Sequence, residues 1–195
     1  MIVFRIMKLL IVIALLLTSP GALACDLTLV APARSALKKP VQARVSLAGD
    51  ILTASYSVSA PLNARKTLGP KQYPYMFDVV EVFVTVSETG FPYYEFEVSP
   101  FNQPFQVKIV EGKPFQDGVN LGLVSSAKIV PGGWTAEMKI PLKPLGWDGD
   151  PGKIRGNLYS ILERKPKSYW SSFLPKAKKV VFHQPKFFKP LLQCG

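Results

Sequence analysis

The sequence predicts an all-β domain: an antiparallel β-sandwich, jelly-roll-like, with two packed sheets. Three observations carry this prediction. The 18 prolines and 14 glycines are scattered along the chain instead of clustered. Between them run short segments rich in Val, Ile, Phe, Tyr and Thr, residues that suit a pleated surface. No stretch shows the apolar spacing of a long helix. Many short alternating strands bury their apolar sides best as two sheets face to face.

Strands are expected at Val41–Leu47, Ile51–Val58, Val79–Val86, Tyr93–Val98, Phe105–Val110, Leu121–Ile129, Trp134–Ile140 and Ile154–Leu162. In the seventh, Trp134, Ala136, Met138 and Ile140 share one face, so Trp134 belongs to the core. Pro131-Gly132-Gly133 is a turn signal that joins this strand to the preceding one as a hairpin. Residues 87–91 turn the third strand back onto the fourth. A register symmetric about that turn puts Glu81 and Phe83 on the same face as Tyr93, Glu95 and Glu97. Such a face of carboxylates and rings suits a solvated sheet surface or a sugar-binding concavity. Residues 141–146 are expected to form one helical turn, and Trp147 to cap an end of the sandwich.

The N-terminus has the parts of a secretory signal. Arg5 and Lys8 precede an unbroken apolar run from Leu9 to Leu17, a helix-breaking Pro20-Gly21 follows, and Ala22-Leu23-Ala24 supplies a small-x-small cleavage site. The run is shorter than the ~20 residues of a membrane span. Residues 1–24 are therefore read as a signal peptide, and residues 25–195 as one domain in the periplasm or outside the cell. The two cysteines, Cys25 and Cys194, stand at the two ends of that domain. An oxidising compartment and an even count favour a disulfide between them. The alternative is a lipid anchor, because Ala22-Leu23-Ala24-Cys25 also looks like a lipoprotein acylation site.

The net charge is +11. Much of the excess lies in residues 164–189, where Arg164, Lys165, Lys167, Lys176, Lys178, Lys179, Lys186 and Lys189 occur without an acid. That segment is either a solvated loop or a contact for an anionic glycan or lipid surface. No nucleic-acid motif occurs, and no such partner is expected. Catalytic signatures are also missing: there is no nucleophile elbow, no His-Glu-x-x-His and no phosphate loop. A single histidine, His183, rules out a multi-histidine metal site and reads as a loop-bonding residue.

Six segments then appear in order. They are 78–83 (Asp-Val-Val-Glu-Val-Phe), 93–100 (Tyr-Tyr-Glu-Phe-Glu-Val-Ser-Pro), and 133–142 (Gly-Trp-Thr-Ala-Glu-Met-Lys-Ile-Pro-Leu), followed by 155–159, 169–172 and 182–188. The series resembles the family 9 carbohydrate-binding modules, in the family-9-like branch of the DOMON superfamily, over residues 74–192. The resemblance implies an exported, non-catalytic β-sandwich that binds carbohydrate. Two aromatic rings would clamp a sugar, at Tyr75 and Trp170, and Glu81, Glu95 and Asn102 would hold its hydroxyls. Aromatic faces stack on sugar C–H faces, and carboxylates and amides orient hydroxyls. No cofactor or metal is assigned, with haem and calcium left open. Other DOMON branches bind haem, and Met76, Met138 and His183 are the ligands available for that alternative. A third reading is an envelope-associated structural protein that meets an anionic surface through residues 164–189.

Overall fold

The computed structural model describes residues 23–30, 41–162, 168–172 and 180–193. Most of the expected signal peptide, Cys194, and Arg164, Lys165, Lys167, Lys176, Lys178 and Lys179 lie outside the described residues.

Among the described residues there are twelve strands and no α-helix: β1 (Leu23–Thr28), β2 (Gln42–Ala48), β3 (Ile51–Val58), β4 (Val79–Thr85), β5 (Tyr93–Val98), β6 (Pro104–Ile109), β7 (Gln116–Asp117), β8 (Val124–Val130), β9 (Gly133–Pro141), β10 (Arg155–Leu162), β11 (Ser168–Ser171) and β12 (Lys189–Pro190). They form two antiparallel sheets. One runs β1-β2-β3-β9-β8, and the other β11-β10-β4-β5-β6-β7 with β12 on the end of β10. The eight expected strands are all present. Those expected at Ile51–Val58 and Tyr93–Val98 match to the residue. β1, β7, β11 and β12 were not anticipated: three are four residues or fewer, too short to show a period, and β1 overlaps the end of the expected leader.

The hairpin before Trp134 forms as expected. Val130 pairs with Gly133, leaving Pro131-Gly132 as the turn, and Gly132 takes a φ of +79° that glycine adopts without strain. Residues 143–145 form a short 3-10 helix that ends at Gly146 in the left-handed region. Trp147 packs partly against the main core, and its indole N–H donates to the Asp150 carbonyl at 2.8 Å.

The main core lies between the sheets. Leu52, Ala54, Tyr56, Trp134, Met138 and Ile140 from the first sheet meet Val80, Val82, Phe96, Val98, Leu158 and Leu162 from the second. A second, smaller apolar cluster lies on the other side of the second sheet, around Phe83, Tyr93, Val107, Ile109, Tyr159 and Phe188. Every residue of β4 and β5 is buried, which is the pattern of strands covered on both faces. The cover over this outer face comes from the C-terminal segment: Tyr159 Oη donates to the Val181 carbonyl at 2.9 Å, and Phe188 packs edge-on to Tyr93. Close pairing here depends on Gly156 in β10, because a Cβ there would collide with the Phe83 carbonyl.

β1 starts two residues ahead of Cys25, and Cys25 pairs with Val45. Cys25 is buried, and no free cysteine occurs among the described residues. Met138 lies in the inter-sheet core, whereas His183 lies on the outer face of the second sheet. A whole sheet therefore separates these two of the ligands considered for haem.

Candidate functional site

The outer face of the second sheet carries the site. The β4–β5 register pairs Glu81 with Glu97 and Phe83 with Glu95, the symmetric arrangement expected from the turn. Two rows of side chains result from the register. Tyr159, Glu81, Glu97 and Phe105 lie side by side across β10, β4, β5 and β6. Asn157, Phe83, Glu95, Val107 and Asp117 form the next row, from β10 to β7.

A cleft of about 580 Å³ opens above these rows. Glu81, Glu95 and Val107 contribute to its lining from the central strands. Rings come from two separate groups. In the first, Tyr73 and Tyr75 stack with centroids 5.3 Å apart and planes 6° from parallel, and Phe105 meets both edge-on. The turn at Pro74–Met76 presents Tyr75, which is 37% exposed. In the second group, Phe182 packs on Tyr169, and His183 packs on Phe115. Tyr169 stands on β11 at one side of the sheet, while Phe105 and Asp117 stand on β6 and β7 at the other.

Three carboxylates converge at the floor. One oxygen from each of Glu81, Glu95 and Glu97 lies within 4.8 Å of the others, and all three residues are buried. Burial pushes the Glu97 carboxyl well above the usual range, and the nearby Glu81 and Glu95 charges push it further. Burial raises Glu95 as well. Both shifts favour the protonated form of Glu95 and Glu97 above the ordinary carboxylate range. His183 Nδ1 is 3.1 Å from Tyr93 Oη and 4.0 Å from Glu95 Oε2. Partial desolvation lowers the imidazole pKa, although 40% of the side chain is exposed.

The site residues named from the resemblance divide. Tyr75, Glu81 and Glu95 line the cleft. Trp170 does not: it is 4% exposed and belongs to the inter-sheet core, and Tyr169 lines the cleft in its place. Successive strand residues face opposite sides, so in β11 only one of the two can point to the cleft. Asn102 also stands apart. It sits in the β5–β6 loop at a φ of 54°, where its side-chain oxygen accepts from Ser125 Oγ at 2.8 Å. That left-handed turn position suits asparagine, and the bond ties the loop to a strand of the other sheet.

Glu97, Tyr73, Phe105, Tyr169 and His183 were missed as site residues. Glu97 carried a usable signal, because it alternates with Glu95 on the same face. Tyr73 lies two residues before Tyr75, again a visible spacing. Nothing local marked Phe105 or His183, which reach the cleft only through sheet order and the return of the C-terminal segment. His183 was read as a loop-bonding residue, and it does meet Tyr93 Oη, but it also lines the cleft.

No protein-family model and no curated protein sequence matches the chain. Solved structures do match in fold. A Bacteroides uniformis ATCC 8492 protein, provisionally described as carbohydrate-binding, superposes with a TM-score of 0.63 at 18% identity, over 85% of this chain and 83% of that one. A family 9 carbohydrate-binding module from Caldicellulosiruptor kristjanssonii, in complex with cellotriose, gives a TM-score of 0.55 at 14% identity, over 86% of this chain and 80% of that one. Its complex with glucose gives the same TM-score and identity, over 85% of this chain and 81% of that one. The chain shares the fold of family 9 carbohydrate-binding modules. At these identities the likeness establishes architecture alone, and the cleft's own chemistry must carry the argument about function.

Proposed function

We propose that this chain is a non-catalytic carbohydrate-binding module whose ligand occupies the cleft between Tyr75 and Tyr169. The observation that carries the reading is the pairing of exposed aromatic faces with buried carboxylates in one open concavity. Rings supply flat apolar surfaces for sugar C–H faces, while Glu81 and Glu95 present oxygen atoms to hydroxyls. The family 9 module of the same fold, solved with cellotriose and with glucose, supports this reading.

The same reading places the protein outside the cytoplasm, following the signal-like residues 1–24, with Cys25 joined to Cys194. The burial of Cys25 in a paired strand supports the disulfide over the acylated alternative. Contact with an anionic surface through residues 164–189 stays secondary, resting on the exposed Lys186 and Lys189 among the described residues.

Calorimetric titration with neutral cello- and xylo-oligosaccharides, amino-sugar oligomers and acidic oligosaccharides tests the central claim. Binding of at least one class, weakened about tenfold by Tyr75→Ala, is the expected result, since one ring contact contributes ~0.5–1.5 kcal/mol. No binding to any class, or binding indifferent to Tyr75→Ala, would overturn it.

A further inference from the structure

The rings of the cleft are spread along the strands as well as across them. Tyr169 pairs with Ile161, and Ile161 with Val79, so Tyr169 stands just outside the row of Tyr159, Glu81, Glu97 and Phe105. Tyr73 and Tyr75 meet the sheet at Phe105, in that same row. Both ring groups therefore gather at one end of the rows. At the other end Tyr93 pairs with Ile109. Phe115 continues this last row: it stands two residues before Asp117, which pairs with Val107, and so shares its face of the sheet. Phe105 and Ile109 are four residues apart on β6, roughly 13 Å of extended strand.

Phe115 is placed as a platform. It is 54% exposed, more than either Tyr75 or Tyr169, and it lines the same cleft. The turn that carries it is closed by Lys113 N–H, which donates to the Val110 carbonyl at 3.1 Å, with Gly112 at a φ of +68°. Its ring packs on His183, with centroids 4.8 Å apart. His183 is itself held in place. It takes a φ of 34°, its Nδ1 lies 3.1 Å from Tyr93 Oη, and its ring packs on Phe83. A non-glycine residue keeps such a backbone only where its surroundings fix it, so Phe115 leans on rigid support.

An exposed apolar ring is ordinary on a protein surface, but this one ends a concavity that begins at other rings. A single pyranose ring is comparable in size to one aromatic ring, so it cannot touch Tyr75 and Phe115 together. The cleft volume of about 580 Å³ falls among sites that hold larger ligands. Between its two ends lie Glu95 and Asp117, whose oxygens can accept from hydroxyls. Resting on the carbohydrate reading, we propose that Phe115 is a second sugar platform, which makes the cleft a site for at least two linked sugars. The first sugar lies beside Tyr75 and Tyr169, and the next stacks on Phe115.

The test is calorimetric titration of the full chain with mono- to tetrasaccharides of four series: glucose, xylose, N-acetylglucosamine and galacturonic acid. In a series that binds, affinity is expected to rise at least about tenfold from the monosaccharide to the trisaccharide. Phe115→Ala should weaken the trisaccharide about threefold to tenfold and leave the monosaccharide within about twofold. Phe115→Tyr should keep the dependence on length, and Phe115→Leu, apolar but not planar, should lose it. Tyr75→Ala should weaken every length alike. Affinity that does not rise with length overturns the proposal and leaves the carbohydrate reading standing. So does a rise that Phe115→Ala leaves intact, or a monosaccharide weakened as much as the trisaccharide. No binding in any series removes both readings.

Discussion

Tyr56 Oη donates a 2.6 Å hydrogen bond to the backbone carbonyl of Glu81, across the interior of the sandwich. Tyr56 belongs to β3 in the first sheet, and its ring lies in the inter-sheet core. Glu81 belongs to β4, and its side chain points the other way, into the cleft. The bond therefore links the support sheet to the backbone that carries a cleft carboxylate. Burial, followed by the Glu81 charge, raises the Tyr56 hydroxyl well above its usual range, so it stays a donor at any working pH. Tyr56→Phe is expected to destabilise the protein by about 1–2 kcal/mol in urea unfolding, the cost of a buried hydrogen bond lost with its acceptor left in place. A cost near zero would show that the contact does not tie the sheets.

Tyr169 and Trp170 separate binding from stability. Trp170 is a core ring whose indole Nε1 finds no acceptor among the described residues, and Trp170→Ala is expected to cost about 3–5 kcal/mol. Tyr169 is 39% exposed, so Tyr169→Ala should cost well under that while weakening glycan binding by about threefold to tenfold. Denaturation curves and titrations on both variants check this. The reverse pattern would return the tryptophan to the site.

The buried carboxyls predict a pH dependence of stability with a definite sign. Glu95 and Glu97 bind protons more tightly in the folded chain than in the unfolded one. Their contribution is complete below the ordinary glutamate range. It is lost as pH rises through their higher folded values, because the unfolded state gives up those protons first. His183 works in the opposite sense: its lowered value contributes stability above the usual imidazole range, which is lost as pH falls through the folded value. Glu97→Gln isolates the carboxyl effect. Its melting temperature should fall less steeply than wild type between weak acid and neutrality, as measured by scanning calorimetry. An unchanged slope would mean that Glu97 ionises freely.

The terminal cysteines give a fourth prediction. Protein recovered from an exporting host should have the intact mass expected after cleavage before Cys25, lighter by the hydrogens of both thiols. Reduction should lower its stability by about 2–5 kcal/mol. An acyl adduct on Cys25 would contradict both the disulfide and the burial of that side chain.

Much of this architecture was readable in advance because alternation and punctuation are local. Glu81, Phe83, Tyr93, Glu95 and Glu97 could be put on one face from parity about a single turn, and the β4–β5 register agrees. Tyr169 and Trp170 could not be told apart that way. The four-residue β11 has no visible period, and a shift of one residue exchanges core for cleft. Asn102 looked available as a polar residue after β5, but its partner Ser125 is brought from the other sheet only by folding.

The amino-acid order was enough to settle the class of fold, the pairing of the central hairpins and the acidic, aromatic character of one sheet face, because each rests on neighbours within one or two strands. Tertiary structure decided whether that face became a site. Strand order set β11 and β7 on opposite sides of the paired glutamates, and the returning C-terminal segment brought Phe182 and His183 over them. The physical reason is separation along the chain: Glu81 and Glu97 meet through a turn, whereas Tyr75 and Tyr169 share a cleft only after both sheets have closed on their common core.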